Sequence, residues 1–348
     1  MSVRAYQASS STSALEDGKI LRRELLDHDV SIKVHFCGIC HTDVHMLHDD
    51  WHKSHYPLVP GHEIAGVVDA VGAKVTHFKV GQTVGVGCIV DSCGRCDHCT
   101  TGLQQHCASG MTMTYGDEDH ISGGYTFGGY SERIVVQEKY VLDIPAGLDL
   151  AEAAPLLCAG VTMWTPLKEH GAAPGKTVGI VGVGGLGHMG LKLAHALGAK
   201  VIAFTSKPEK TDELIALGAH QVIITSDEHS LNTVKDSIDL IIDTISAEHD
   251  LLKYFNTLKF KGTYVVVGGS PQPLPVNVFP LLFKRILFTG SAIGGIEATQ
   301  EMLNFCAKHK IGATIEIAPL QKVNEVLARL EKGDVRYRFV LDVKNYYH

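Results

Sequence analysis

Between Lys176 and Lys210 the chain reads KTVGIVGVGGLGHMGLKLAHALGAKVIAFTSKPEK, a stretch that leaves little choice of fold. Thr177 to Val181 is an apolar run of strand length. Gly182, Gly184 and Gly187 then complete G-x-G-x-x-G, with Gly185 and Leu186 inside the turn. Leu186, Met189, Leu193 and Leu197 recur every three or four residues, the spacing of a helix with one apolar face. Gly190 and Ala194 keep one side of it narrow enough to pack on a sheet. Gly198 is a helix stop, and Lys200 to Phe204 is a second strand-length run. In this strand–turn–helix–strand context the glycines let the backbone approach a pyrophosphate, and the free N–H groups of the helix start favour the anion.

The end of the second strand discriminates between cofactors. A site for NAD offers Asp or Glu there, to bond the ribose 2′-hydroxyl. This chain offers Thr205, Ser206 and Lys207, with Lys210 one turn later. Hydroxyls and ammonium groups suit a 2′-phosphate, so NADP(H) is expected; the alternative is that Lys207 and Lys210 are ordinary solvated lysines. Further on, Ser237 to Asp243, Thr263 to Val267 and Ile286 to Thr289 read as buried strands with helical stretches between them. That pattern is a doubly wound parallel sheet, which binds ligands at the carboxyl ends of its strands.

The first 150 residues differ. Short β-like runs such as SIKVHF, IAGVVDAVG and QTVGVG, divided by Gly and Pro, predict a partly closed β-barrel. With 348 residues, 45% of them apolar, about two domains are expected. The net charge of −7, without a long basic cluster, speaks against nucleic acid as a partner. The chain has no run of eighteen apolar residues, so no membrane span is expected. Its N-terminus is polar and lacks a secretory stretch, and its nine cysteines then point to a reducing compartment, by default the cytoplasm.

Four of those cysteines fall in DSCGRCDHCTTGLQQHC. The two-residue gaps are tight turns that bring Cys93, Cys96, Cys99 and Cys107 around one point, with Gly94 and Gly102 helping the chain fold back. A closed set of four thiolates suits a structural zinc. An iron–sulfur cluster is the main rival; the longer last gap and the absence of Pro after Cys107 argue against it. A second set is dispersed: Cys37 and Cys40 in FCGICHTD, His62 and Glu63 in PGHEIAGVV, and Cys158 in AAPLLCAGVT. A catalytic zinc needs about three protein ligands and an open position, and two cysteines with one histidine is a known ligand set. Asp43 is a candidate acceptor for a ligand imidazole.

The ordered set GICHTD, PGHEIAGVV, CGRCDHC, CAGVT, GVGGLGHMG and YRFV resembles the zinc-dependent medium-chain alcohol dehydrogenases, and within them the cinnamyl alcohol dehydrogenase branch. The resemblance implies a GroES-like β-barrel catalytic domain (1–157 and 295–348) and a Rossmann doubly wound coenzyme domain (158–294), with the active site in the cleft between them. It implies that Cys40, His62 and Cys158 are ligands of a catalytic zinc, with Glu63 beside them, and that the chain carries two zinc ions. It further implies hydride transfer between NADPH and an aldehyde, with Thr42 and His45 relaying the proton. Thr162, Val267, Gly268, Ser291 and Ile293 fall where the family contacts the nicotinamide half of the cofactor.

One departure widens the expected substrates. In TGSAIGG this chain has Ala292 where plant members commonly place a bulky aromatic, so a broad reductase of aromatic and aliphatic aldehydes is expected. Trp51, Cys88, Met111 and Met113 are candidates for an apolar pocket. The apolar stretch FPLLFKRILF, together with the resemblance, predicts a homodimer through the edge strand around Ile286 to Ile293. The alternative function is a non-catalytic zinc- and NADPH-binding sensor on the same fold, for which the histidine-dense stretch from His41 to His55 would be the candidate feature.

Overall fold

The alternating run DVSIKVHFCG becomes β1 (Asp29–Gly38), the strand on which the first unit is built. Val30, Ile32, Val34 and Cys37 are fully buried, so the pleat sends its apolar side chains into the barrel core. After β1 the chain enters helix α1 (His41–His48) and returns as β2 (Ile64–Val71) and β3 (Thr83–Val86). The short pair β4 (Ile89–Asp91) and β5 (Thr112–Met113) follows, then β6 (Arg133–Gln137) and β7 (Leu142–Asp143). The computed structural model describes residues 1–270 and 272–347.

Helix α2 (Ala159–Glu169) opens the second unit. Strand β8 (Thr177–Val181), helix α3 (Gly187–Ala196) and strand β9 (Lys200–Thr205) reproduce the expected motif. They are followed by β10 (Gln221–Ile224), β11 (Ile238–Asp243), the single-turn helix α4 (Leu252–Phe255) and β12 (Leu258–Val266). Helix α5 (Val278–Lys284) and β13 (Leu287–Gly290) complete the unit. The six strands are all parallel, in the order β10-β9-β8-β11-β12-β13. This order reverses at β8 and β11, where a doubly wound sheet opens a crevice for ligands.

The chain then returns to the first unit with β14 (Ile315–Pro319) and β15 (Arg338–Asp342). The barrel sheet runs β14-β15-β1-β2-β3-β7, with β6 also on β1. The two compact units are Met1–Cys158 with Gly294–His348, and Ala159–Ile293. Cys158 and Gly294, which the sequence division gives to the coenzyme domain, therefore fall in the first unit, and Cys158 shares a unit with Cys40 and His62. No single helix among the described residues is long and apolar enough to cross a membrane.

Candidate active site

Each residue of the dispersed set lies where one element gives way to another, so side chains from distant stretches can converge without breaking a ladder. Cys40 is the N-cap of α1, His62 and Glu63 immediately precede β2, and Cys158 ends the turn Ala154–Leu157 before α2. The ligand atoms of Cys40, His62, Glu63 and Cys158 lie within 4.8 Å of one another. Thr42 Oγ1 stands 3.6 Å from Cys40 Sγ. Cys37 is not among them: its thiol is buried in the barrel core and points to the carbonyl of Gly38.

Asp43 organises this cluster from behind. It is fully buried and accepts from the backbone N–H of Cys40 (2.8 Å) and Gly61 (3.1 Å) and from the hydroxyls of Tyr115 (2.6 Å) and Tyr130 (3.2 Å). Burial, and then the Asp43 charge, raise both tyrosine pKa values well above their ordinary range, so both hydroxyls remain donors. His62 Nδ1 faces the same carboxylate at 3.5 Å, which leaves Nε2 for the cluster. Burial opposes a positive imidazole there, yet Cys88, Asp43 and Cys40 together outweigh it and hold the His62 pKa well above normal. The Cys40 thiol is pushed well below its usual range, first by a hydrogen bond from Cys158 and then by His62 and Arg338. A site with this balance favours a cation at its centre.

Glu63 is the exception in the set. One of its oxygens is paired with buried Arg338 of β15, while Oε2 is buried without a partner. Burial pushes its carboxyl up to about 7, against the pull of the Arg338 guanidinium. The pair is possible because Gly38 has no side chain: a Cβ there would collide with Oε2. The donor set therefore fits a divalent metal, with two cysteine sulfurs, one oriented imidazole and one carboxylate oxygen left without a partner.

The second cluster is local. Cys93, Cys96, Cys99 and Cys107 also lie with their sulfurs within 4.8 Å of one another. The antiparallel pair β4 and β5 closes the base of the loop, and Gly94 (φ 66°) and Gly102 (φ 80°) make the two left-handed turns it needs. Backbone N–H groups point at the sulfurs, that of Cys93 at Cys107 Sγ and that of Ala108 at Cys96 Sγ, each at 3.4 Å. The N–H of Arg95, and then that of Cys96, draws the Cys93 thiol down to about 6. Backbone N–H groups thus favour the thiolate at Cys93 and Cys96, while Cys99 meets the Ser92 hydroxyl (3.4 Å), and four cysteine sulfurs around one point suit a closed zinc site.

In the second unit, a cavity of about 300 Å³ opens at the carboxyl ends of β8, β9 and β11. It brings together Gly182, Thr205, Ser206, Lys207 and Lys210, and no carboxylate lines it. A Cβ at Gly182 (φ 80°) would strike Ile245 and Thr244, and one at Gly187 would strike the carbonyl of Gly182. Gly184 would meet nothing within 4 Å. The outer two glycines are thus demanded by the protein's own packing, and the middle one faces open space. His188 Nδ1 donates to the carbonyl of Gly185 (2.8 Å), fixing the turn near Leu186.

Residues 26–146 match the alcohol dehydrogenase GroES-like domain family, and residues 185–308 match the zinc-binding dehydrogenase family. Cinnamyl alcohol dehydrogenase 8 of Arabidopsis thaliana is 48% identical over 340 residues, covering 97% of this chain and 94% of that protein. NADP-dependent alcohol dehydrogenase C 1 of Mycolicibacterium smegmatis is 49% identical over 341 residues, covering 98% and 97%. A solved cinnamyl alcohol dehydrogenase from Sorghum bicolor superposes with a TM-score of 0.95 at 41% identity, over 99% of this chain and 98% of that one. The chain belongs to the zinc-dependent medium-chain alcohol dehydrogenases, in their cinnamyl alcohol dehydrogenase branch.

As a member of that family the chain is an oxidoreductase, which displaces the sensor alternative. The remaining expected residues of this dehydrogenase stand apart from the 300 Å³ cavity. Val267 and Gly268 follow β12 and donate to the carbonyl of Asp243 (2.9 and 3.1 Å), Ser291 follows β13, and Ile293 has a left-handed backbone (φ 40°). Thr162 is buried within α2. In the first unit, His45 places Nδ1 2.7 Å from Asp50 and its ring 5.1 Å from that of Trp51, which is 40% exposed. Cys88 is buried, with its thiol toward the carbonyl of Leu157. Sequence reasoning missed Arg338 altogether, although it sits in the YRFV stretch used for the family resemblance. An arginine inside an otherwise apolar strand was the available signal, since a buried guanidinium demands a partner.

Proposed function

We propose that this dehydrogenase interconverts aldehydes and primary alcohols with zinc and NADP(H), acting on aromatic aldehydes of the cinnamyl and benzyl type and on aliphatic ones. The observation that carries the reading is the convergence of Cys40, His62 and Cys158 beside a carboxylate, Glu63, that Arg338 already holds. Three donors would hold the metal, and the fourth is restrained, which leaves a position for substrate. When bound, zinc supplies Lewis acidity toward the carbonyl oxygen and NADPH supplies the hydride. Thr42 offers a hydroxyl beside the ligand cluster and holds the proton that the product oxygen needs. His45, partly exposed and bonded to Asp50, exchanges that proton with solvent. The loop of four cysteines would hold a second, structural zinc. All nine thiols are free, which fits a reducing compartment such as the cytoplasm.

The acid-free cavity around Ser206 supports NADP(H) over NAD(H), as does the M. smegmatis relative named for that dependence. With charge-assisted bonds to a 2′-phosphate, kcat/KM should favour NADPH over NADH on the order of a hundredfold, measured with a panel of aldehydes. Ser206→Asp should reverse much of that ratio, mostly through KM. Equal efficiency with both cofactors in the unmodified protein would sink the cofactor assignment.

The same reading includes a homodimer. Strand β13 is an edge of the parallel sheet, and beside it in sequence α5 exposes Phe279 (63%), Leu282 (65%) and Phe283 (78%). An uncovered edge next to such an apolar helix is an association site unless something covers it, and a second copy would do so. Light scattering at micromolar concentration should give twice the chain mass; a monomer mass rejects the dimer.

A further inference from the structure

The coenzyme cavity has a second wall that the glycine turn and the residues after β9 do not supply. Beyond β11 the chain passes Ile245 and His249 and enters α4, which carries Lys253 into the same cavity as Lys207 and Lys210. None of these three ammonium groups takes part in an ion pair among the described residues. Lys253 is half-buried, with Nζ 5.0 Å from the centre of the Tyr254 ring.

His249 fixes the shape of this wall. Its Nδ1 lies 2.7 Å from the carbonyl of Ala247, which can only accept, so Nδ1 carries a hydrogen. Its Nε2 lies 2.8 Å from Asp243, a fully buried carboxylate that also accepts from the N–H of Ile245 (3.0 Å) and the hydroxyl of Tyr264 (2.9 Å). The remaining proton of that contact belongs to the pair, whose net charge is zero whichever partner holds it. His249 is therefore a braced spacer, and Lys253 is the cationic group of the wall.

We infer that Lys253 is a specificity-determining residue, a third ammonium contact for the 2′-phosphate of NADP(H), supplied by the β11–α4 connection rather than by the loop after β9. This rests on the reading that the cavity takes NADP(H). A phosphate monoester near neutral pH carries close to two negative charges, more than one lysine balances. Lysines arriving from two separate connections enclose it, whereas those of one loop only flank it. The ribose 2′-hydroxyl of NADH offers no such charge, so Lys253 discriminates between the two cofactors and adds little to the affinity they share.

The test uses the zinc-loaded full chain with two variants, Lys253→Met, which keeps the apolar stem, and Lys253→Arg, which keeps the charge. Dissociation constants are measured for NADPH, NADH and adenosine 2′,5′-bisphosphate. Lys253→Met should weaken NADPH and the bisphosphate about tenfold, the worth of one charge-assisted contact, while NADH shifts less than twofold. Lys253→Arg should recover most of the loss. Weakening of NADPH and NADH to the same extent would show a merely structural role and overturn the inference. So would unchanged NADPH affinity in Lys253→Met, in a wild-type chain that still prefers NADPH. If the wild type does not prefer NADPH at all, the cofactor reading fails first and takes this inference with it.

Discussion

Two sulfur-rich clusters in the same unit use cysteine in opposite ways. The Cys93–Cys107 loop draws all its donors from one stretch, braced by β4 and β5, and its sulfurs are met by backbone N–H groups. The cluster of Cys40, His62, Glu63 and Cys158 draws on three distant stretches and mixes thiol, imidazole and carboxylate. Its surroundings are side chains rather than backbone: Asp43 behind His62, and Arg338 on Glu63. A loop that satisfies its own sulfurs has nothing left to offer a substrate. A cluster assembled by the whole barrel can hold one donor in reserve.

The widest separation between the two comes from removing one thiol in each. Cys40→Ser should lower kcat roughly a thousandfold or more, about 4 kcal/mol of lost stabilisation, with the far-UV circular dichroism and melting temperature nearly unchanged. Cys96→Ser should do the reverse, dropping the melting temperature by about 10 °C while turnover at low temperature survives, because a closed metal site contributes folding energy. Matching behaviour in the two variants would mean that the clusters are not different in kind.

A smaller effect sharpens the contrast inside the mixed cluster. Arg338→Met leaves the buried Glu63 carboxylate uncompensated, so urea unfolding should show a loss of about 3 kcal/mol. Adding Glu63→Gln should restore most of it, since a neutral amide needs no counter-charge. A single-variant loss below about 1 kcal/mol would show that Glu63 does not depend on Arg338.

Much of this was legible in the sequence wherever the information is local. The glycine turn, its helix and β8 lie where spacing put them, because turn geometry and helical period are set by neighbours. Strand β12 begins at Leu258, ahead of the expected Thr263. Lys259, an exposed Phe260 and Lys261 in a left-handed conformation interrupt the apolar pattern there, while hydrogen bonding carries the strand on. Asp43 was expected to serve the ligand imidazole and does face it, but most of its bonding goes to backbone and to Tyr115 and Tyr130, which no motif connects to it. Arg338 escaped for the same reason, and Lys253 reaches the cavity of Lys207 and Lys210 from a separate connection. Strand register and the crossing of connections leave no trace in spacing.

The position of β15 has a consequence for how the molecule is made. The strand that delivers Arg338 to Glu63 belongs to the first unit, yet it emerges from synthesis only after the entire second unit. At a few to twenty residues per second, the nascent barrel waits on the order of ten seconds or more with the Glu63 carboxylate exposed or unpaired. The second unit, contiguous from Ala159 to Ile293, can finish first.

 The Arg338–Glu63 pair can therefore form only on a chain whose second unit has already been synthesised, and a chain that stops before Arg338 leaves a barrel lacking the counter-charge for Glu63.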